Sequence, residues 1–70
     1  MKKAALKNTM KVHRARLDLS QEKLAELVGV TRKTINTIEK GHFVPSTVLA
    51  LKIARVFGVP VVEVFYLEEE

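Results

Sequence analysis

Cysteine is absent from this chain, so no disulfide and no cysteine-based metal site can form. Long apolar runs are absent too. Val59 to Val62 is typical of those present, and it falls far short of the roughly twenty residues a membrane-spanning helix needs. The basic N-terminus, Met1 to Leu6, holds no apolar stretch of signal-peptide length, so a cytoplasmic location is the default expectation. Only two histidines occur, and neither has a carboxylate at metal-ligand spacing. Glu22 and Glu26 stand four apart and read as the solvated face of a helix. No catalytic constellation, metal site or cofactor motif is present, and the chain is not expected to be an enzyme. Nothing points to a pocket for a small-molecule effector.

What is present fits a small globular domain. Seventy residues set the scale of one domain with a marginal core. A hydrophobic content of 47% argues against disorder. The net charge is +4, and its distribution matters more than its size. Residues 1–16 contain Lys2, Lys3, Lys7, Lys11, Arg14 and Arg16 and no acid. Three of the eight acids are Glu68, Glu69 and Glu70, so the body carries twelve bases against five acids. A basic body on a small domain is the footprint of a polyanion binder, and equally that of a soluble surface with an acidic tail.

The stretch Gln21 to Gly41 is the most informative. Ala25 and Gly29 are small, and Leu24, Val28, Val30, Ile35 and Ile38 are apolar. Two helices crossing over a short turn need this arrangement: a small side chain where they approach, and a residue tolerant of positive φ after the first. Ser20 and Thr31 are the expected caps. The apolar pair Ile35 and Ile38 turns inward and leaves Arg32, Lys33, Asn36 and Thr37 outward. This is a helix-turn-helix with a polar, basic second helix.

Around it, Asn8 or Thr9 caps a first helix reaching about Leu17, and Asp18 follows where a glycine is common. Leu24, Leu27 and Val28 are the expected inward stripe of the second helix. The third runs to about Lys40. Ser46 caps a fourth helix, Thr47 to Phe57, apolar nearly all round and therefore expected at the centre of the core. Pro60 opens a short fifth helix, and Val64 to Leu67 is the one β-prone segment. Residues 1–7 carry weak signals, compatible with a tail, a helix start or a strand.

With these elements in place, the chain resembles the lambda-repressor-like (Cro or xenobiotic-response-element) family of small DNA-binding domains. The likeness covers residues 8–67. It rests on Arg14, the run from Leu19 to Gly41, Pro45 and Ser46, and the run from Leu49 to Pro60. It implies an all-α, five-helix domain with the third helix as reader, the helix-turn-helix proper over 21–41 and a dimerisation segment over 60–67. It further implies that Gln21 touches the DNA backbone, that Arg32 and Lys33 take base-reading positions with Asn36 and Thr37 on the next turn, and that Arg14 pairs with Glu39. Some of the smallest family members carry a short terminal β element at a dimer interface. Residues 64–67 fit that role, whereas residues 3–7 fit it poorly because Lys and Ala are weak strand formers. His13 stands where Leu or Ile is common, and reads as a partly buried or interface histidine.

The side-chain chemistry suits the role. An arginine fork at Arg32 matches guanine O6 and N7, and Lys33 serves a base or a phosphate. Asn36 is balanced between adenine and phosphate, and Thr37 suits a thymine methyl. Gln21, Thr31, Lys40 and His42 are the phosphate candidates. Arg32 and Lys33 could also be plain surface charges, Thr31 is a cap in any case, and His42 reads first as a loop residue. The C-terminal residues Val61, Val64, Phe65, Tyr66 and Leu67 hold more apolar surface than a short helix buries, so a homodimer is expected there. The leading expectation is a repressor that binds a near-palindromic operator in double-stranded DNA. A protein-interaction module of transcription-bridging type and the antitoxin of a two-gene module are the alternatives. The outward basic face disfavours the first. The short acidic tail disfavours the second.

Overall fold

Hydroxyl side chains set where three of the helices begin. In the computed structural model, which describes residues 3–69, the order is β1 (Ala4–Asn8), α1 (Met10–Arg16), α2 (Gln21–Val28), α3 (Arg32–Glu39), α4 (Thr47–Phe57), α5 (Val61–Val64) and β2 (Phe65–Glu69). Lys2 and Glu70, counted in the charge pattern, lie outside the described residues. Ser20 accepts from the Lys23 N–H, Thr31 from Thr34 and Ser46 from Leu49, each satisfying a donor that the helix itself leaves unpaired. Gly29, φ 80°, turns the chain between α2 and α3 in the left-handed region, where a Cβ is costly. Asp18, φ 55°, does the same after α1 and is the one non-glycine in that region among the described residues.

The core is a single cluster: Met10, Leu24, Ala25, Val28, Ile35, Ile38, Leu49, Ile53, Ala54, Phe57 and Val64. α2 packs on α3 and on α4, which fixes the helix-turn-helix against the rest. Two expectations about helix faces need correction. Leu27, expected inward, is half exposed, while Ala25, expected where the two helices approach, is buried beside Leu24 and Val28. α4 supplies Leu49, Ile53, Ala54 and Phe57 to the core but is one-sided, with Val48 and Leu51 facing out. Its apolar character exceeded what the neighbouring elements could cover.

The five expected helices are present, with the short terminal β element that the resemblance allowed for, and its N-terminal strand is the segment rated a poor fit. β1 and β2 form a two-stranded antiparallel sheet, with Leu6 opposite Leu67 and Lys7 opposite Tyr66. The weak strand propensity of the N-terminal residues is overridden by a partner strand that supplies the ladder. The register also sets Lys7 diagonal to Glu68 on one face, within reach of a long side chain. α5 is one turn, closed by the Glu63 N–H donating to the Pro60 carbonyl at 2.9 Å, and the chain becomes extended at Phe65. Val64, expected on the dimer surface, is fully buried in the monomer core and presents nothing outward. Val61 and Phe65 pack partly on that core, and Tyr66 and Leu67 are exposed.

Candidate nucleic-acid interface

The first turn of α3 begins at Arg32, directly after the Thr31 cap, so its unpaired N–H groups and two cations share one end of the helix. Arg32 and Lys33 are exposed, and neither makes an ion pair among the described residues. A helix N-terminus beside uncommitted cations favours anions. The start of α2 lies alongside. Arg14, Ser20, Gln21, Glu22, Lys23, Glu26 and Arg32 line one open groove. Packing α2 on α3 brings Gln21 and Arg32, eleven positions apart in sequence, to a common surface.

Behind that surface is a polar network. Arg14 donates from Nε to Glu39 Oε2 and from Nη2 to Glu39 Oε1 at 3.0 Å, a two-pronged pair. Its Nη1 donates to the Leu19 carbonyl at 3.0 Å. Both side chains are largely buried, at 14% and 8% exposure. Gln21 Nε2 donates to Glu39 Oε1 and to Asn36 Oδ1, both at 3.2 Å. Donating its hydrogen bonds to the Glu39 carboxylate holds the Arg14 guanidinium above the usual arginine range. Desolvation works against this and the Glu39 charge adds to it. A raised value means the contribution is complete below the ordinary arginine range and is lost only in strong alkali, so this arginine supplies no pH switch.

The network constrains what the outward residues can do. Asn36 has one acceptor position taken by Gln21 and keeps both N–H donors. Thr37 turns its hydroxyl back onto the Lys33 and Thr34 carbonyls, at 3.0 and 2.9 Å, which leaves its methyl as the group for an outside contact. Thr31 and Thr34 hydroxyls lie 3.0 Å apart, so Thr31 is engaged as a cap. Lys40 and His42 are exposed beyond the end of α3, the latter held by its N–H on the Thr37 carbonyl at 2.9 Å. Thus Gln21, Arg32, Asn36 and Glu39 converge. Val61, Phe65, Tyr66 and Leu67 lie on the separate α5–β2 segment.

Sequence reasoning missed the reach of Asn8. Its Nδ2 donates to the Ile38 and Glu39 carbonyls at 3.1 and 3.3 Å, at the end of α3. Only its capping chemistry was visible in the sequence. His13, expected to be partly buried, stacks on Phe57 with ring centroids 5.3 Å apart.

A helix-turn-helix with a capped, cationic second helix and a locked polar pair behind it defines a class, and the comparisons agree. Residues 10–64 match the family model described as helix-turn-helix, and the chain belongs to that family in its lambda-repressor-like form. It is 57% identical over 65 residues to the uncharacterized HTH-type transcriptional regulator YgzD of Bacillus subtilis (strain 168), covering 93% of this chain and 98% of that one. It is 48% identical over 65 residues to the uncharacterized HTH-type transcriptional regulator MJ0272 of Methanocaldococcus jannaschii, at the same coverages. Among solved structures, the restriction-modification controller protein C.AhdI from Aeromonas hydrophila superposes with a TM-score of 0.72 at 33% identity, over 77% of this chain and 82% of that one. The chain is a transcriptional regulator with a helix-turn-helix DNA-binding fold. No helix among the described residues is long and apolar enough to cross a membrane.

Proposed function

We propose that this regulator is a cytoplasmic repressor that binds a near-palindromic operator in double-stranded DNA as a homodimer, with α3 in the major groove. The observation that carries the reading is the exposed pair Arg32 and Lys33 at the start of α3, neither in an ion pair among the described residues, with Arg32 sharing a groove with Gln21 of α2. A protein-binding use of the same fold has no need for positive charge there. The unit that reads DNA is 21–41. Arg32 reads guanine, and Lys33 takes a base or a neighbouring phosphate. Asn36 and Gln21 act as one polar pair, with Asn36 offering its N–H donors to a base acceptor or a phosphate while Gln21 holds its oxygen. Thr37 presents its methyl to thymine. Thr31, Lys40 and His42 border the reader and take phosphates.

The dimer is built on residues 60–67. Tyr66 and Leu67 are exposed there, with Val62 beside them and Val61 and Phe65 partly so. A single reading helix covers few base pairs, and a two-fold pair reads two half-sites about 34–36 Å apart. Repression needs nothing beyond occupancy of the site.

The test is a selection from random double-stranded DNA at two salt concentrations, read by sequencing. An enriched near-palindrome is expected. Arg32→Ala should relax one position in each half-site, with about 1–3 kcal/mol of lost discrimination. Salt-sensitive bulk binding with no enriched site would put the protein-interaction reading first.

A further inference from the structure

We infer that Asn8, on the sheet and outside the helix-turn-helix, positions the reading helix and sets how sharply the dimer discriminates operator sequence and half-site spacing. The inference rests on the DNA-binding reading above.

Asn8 joins three elements. Its Oδ1 accepts from the Met10 N–H at 3.2 Å, at the start of α1. Its Nδ2 donates to the Ile38 carbonyl at 3.1 Å and the Glu39 carbonyl at 3.3 Å, in the last turn of α3. Its backbone is the last residue of β1, opposite Phe65 of β2. The next residue extends the tie: the Thr9 N–H donates to the Val64 carbonyl at 2.9 Å, and the Thr9 hydroxyl to the Glu63 carbonyl at 2.6 Å.

The last carbonyls of a helix have no partner within it, so a side chain reaching them from another element fixes the direction of the helix end. The first turn of α3 is fixed by the Thr31 cap and its middle by buried Ile35. Its last turn is held by buried Ile38 and by the Arg14 and Gln21 bonds to Glu39, and the Ile38 carbonyl also accepts from the Gly41 N–H at 3.0 Å. Asn8 adds to these a tie from the sheet. It runs from the end of the reading helix to the sheet, which continues from the segment proposed to dimerise. Among the ties on the reading helix, this amide is the one that leads directly to the sheet, so the separation and tilt of the two reading helices in a dimer are tuned through it. Spacing is a geometric property of a two-fold binder, so a looser tie broadens it.

The two functions of Asn8 can be separated. Asn8→Asp keeps an oxygen for the Met10 N–H, where negative charge also suits a helix start. It replaces the donor with a carboxylate facing two carbonyls, which removes the tie from the sheet to the end of α3 and leaves the Glu39 bonds and the Ile38 packing in place. The variant should retain the wild-type circular dichroism and a nearby melting temperature. In the random-DNA selection it should enrich a wider range of half-site spacings. Its operator-to-random affinity ratio should fall about three- to tenfold, the scale of one or two net hydrogen bonds. Affinity for random DNA should stay the same. A purely structural role would lower both affinities by the unfolded fraction and leave ratio and spacing unchanged, and that result would overturn the inference. If Asn8→Asp does not fold, Asn8→Ser applies the same test, because its oxygen serves as a local cap and is too short to reach α3. A wild-type protein that enriches no site would bring down the DNA reading together with this inference. An enriched operator with unchanged ratio and spacing in the variants would bring down this inference alone.

Discussion

The helix-turn-helix and the terminal sheet are held by the same kinds of bond over very different distances along the chain. In the first, Ser20 reaches Lys23 and Thr31 reaches Thr34, three positions on. In the second, Asn8 reaches Ile38 across 30 positions and Thr9 reaches Glu63 across 54. A local cap forms as its helix forms, whereas a distant tie forms only after the loop it closes has been ordered. The helix-turn-helix also buries Leu24, Ala25, Val28, Ile35 and Ile38, while the strand residues Tyr66 and Leu67 stay exposed. One region is thus begun by local caps and completed by the common core, and the other is ordered by attachment and keeps apolar surface outward.

The comparison can be broken at its strongest point. Arg14→Leu strands a largely buried Glu39 with only Gln21 as donor, and should cost about 3–5 kcal/mol in urea unfolding, toward the lower end because Gln21 remains. A loss below about 1 kcal/mol, the scale of an exposed pair, would show that the pair is solvated and that the helix-turn-helix stands on apolar packing alone. Ser20→Ala removes a local cap and should cost about 1 kcal/mol in the same assay. A much larger loss would mean that local caps are not independent units. Leu67→Lys tests the sheet. Monomer stability should change by less than about 0.5 kcal/mol, because the side chain is 70% exposed. Sedimentation at micromolar concentration should nonetheless shift from dimer to monomer. A variant that still sediments as a dimer would move the interface elsewhere, with the outward face of α4 at Val48 and Leu51 as the next surface to examine.

Much of the helix-turn-helix was legible because its signals are short-range. Serine and threonine three residues before a helical N–H, a glycine after Val28 and the i, i+3 pair Ile35 and Ile38 each act within one turn. The tolerance of Asp for positive φ anticipated Asp18 in the same way. Pairing of Arg14 with Glu39 followed from the family resemblance, and no spacing rule alone would have joined residues 25 positions apart. The strand at Ala4–Asn8 was left open and rated a poor fit because propensity describes a segment without its partner. Leu27 and Val48 were misjudged because periodicity names an apolar face without saying how much of it a neighbour covers. Val64 was assigned to a surface for the same reason.

By itself the sequence determined where helices start and stop, which faces are apolar and which turn of the reading helix is cationic, since each depends on residues within one or two turns. Only the tertiary structure decided that Gln21 locks Asn36, that Val64 lies inside and Tyr66 and Leu67 outside, and that Asn8 ties the end of the reading helix to the sheet. These outcomes depend on contacts between distant segments, and the free energy of such contacts is settled by which surfaces meet in three dimensions.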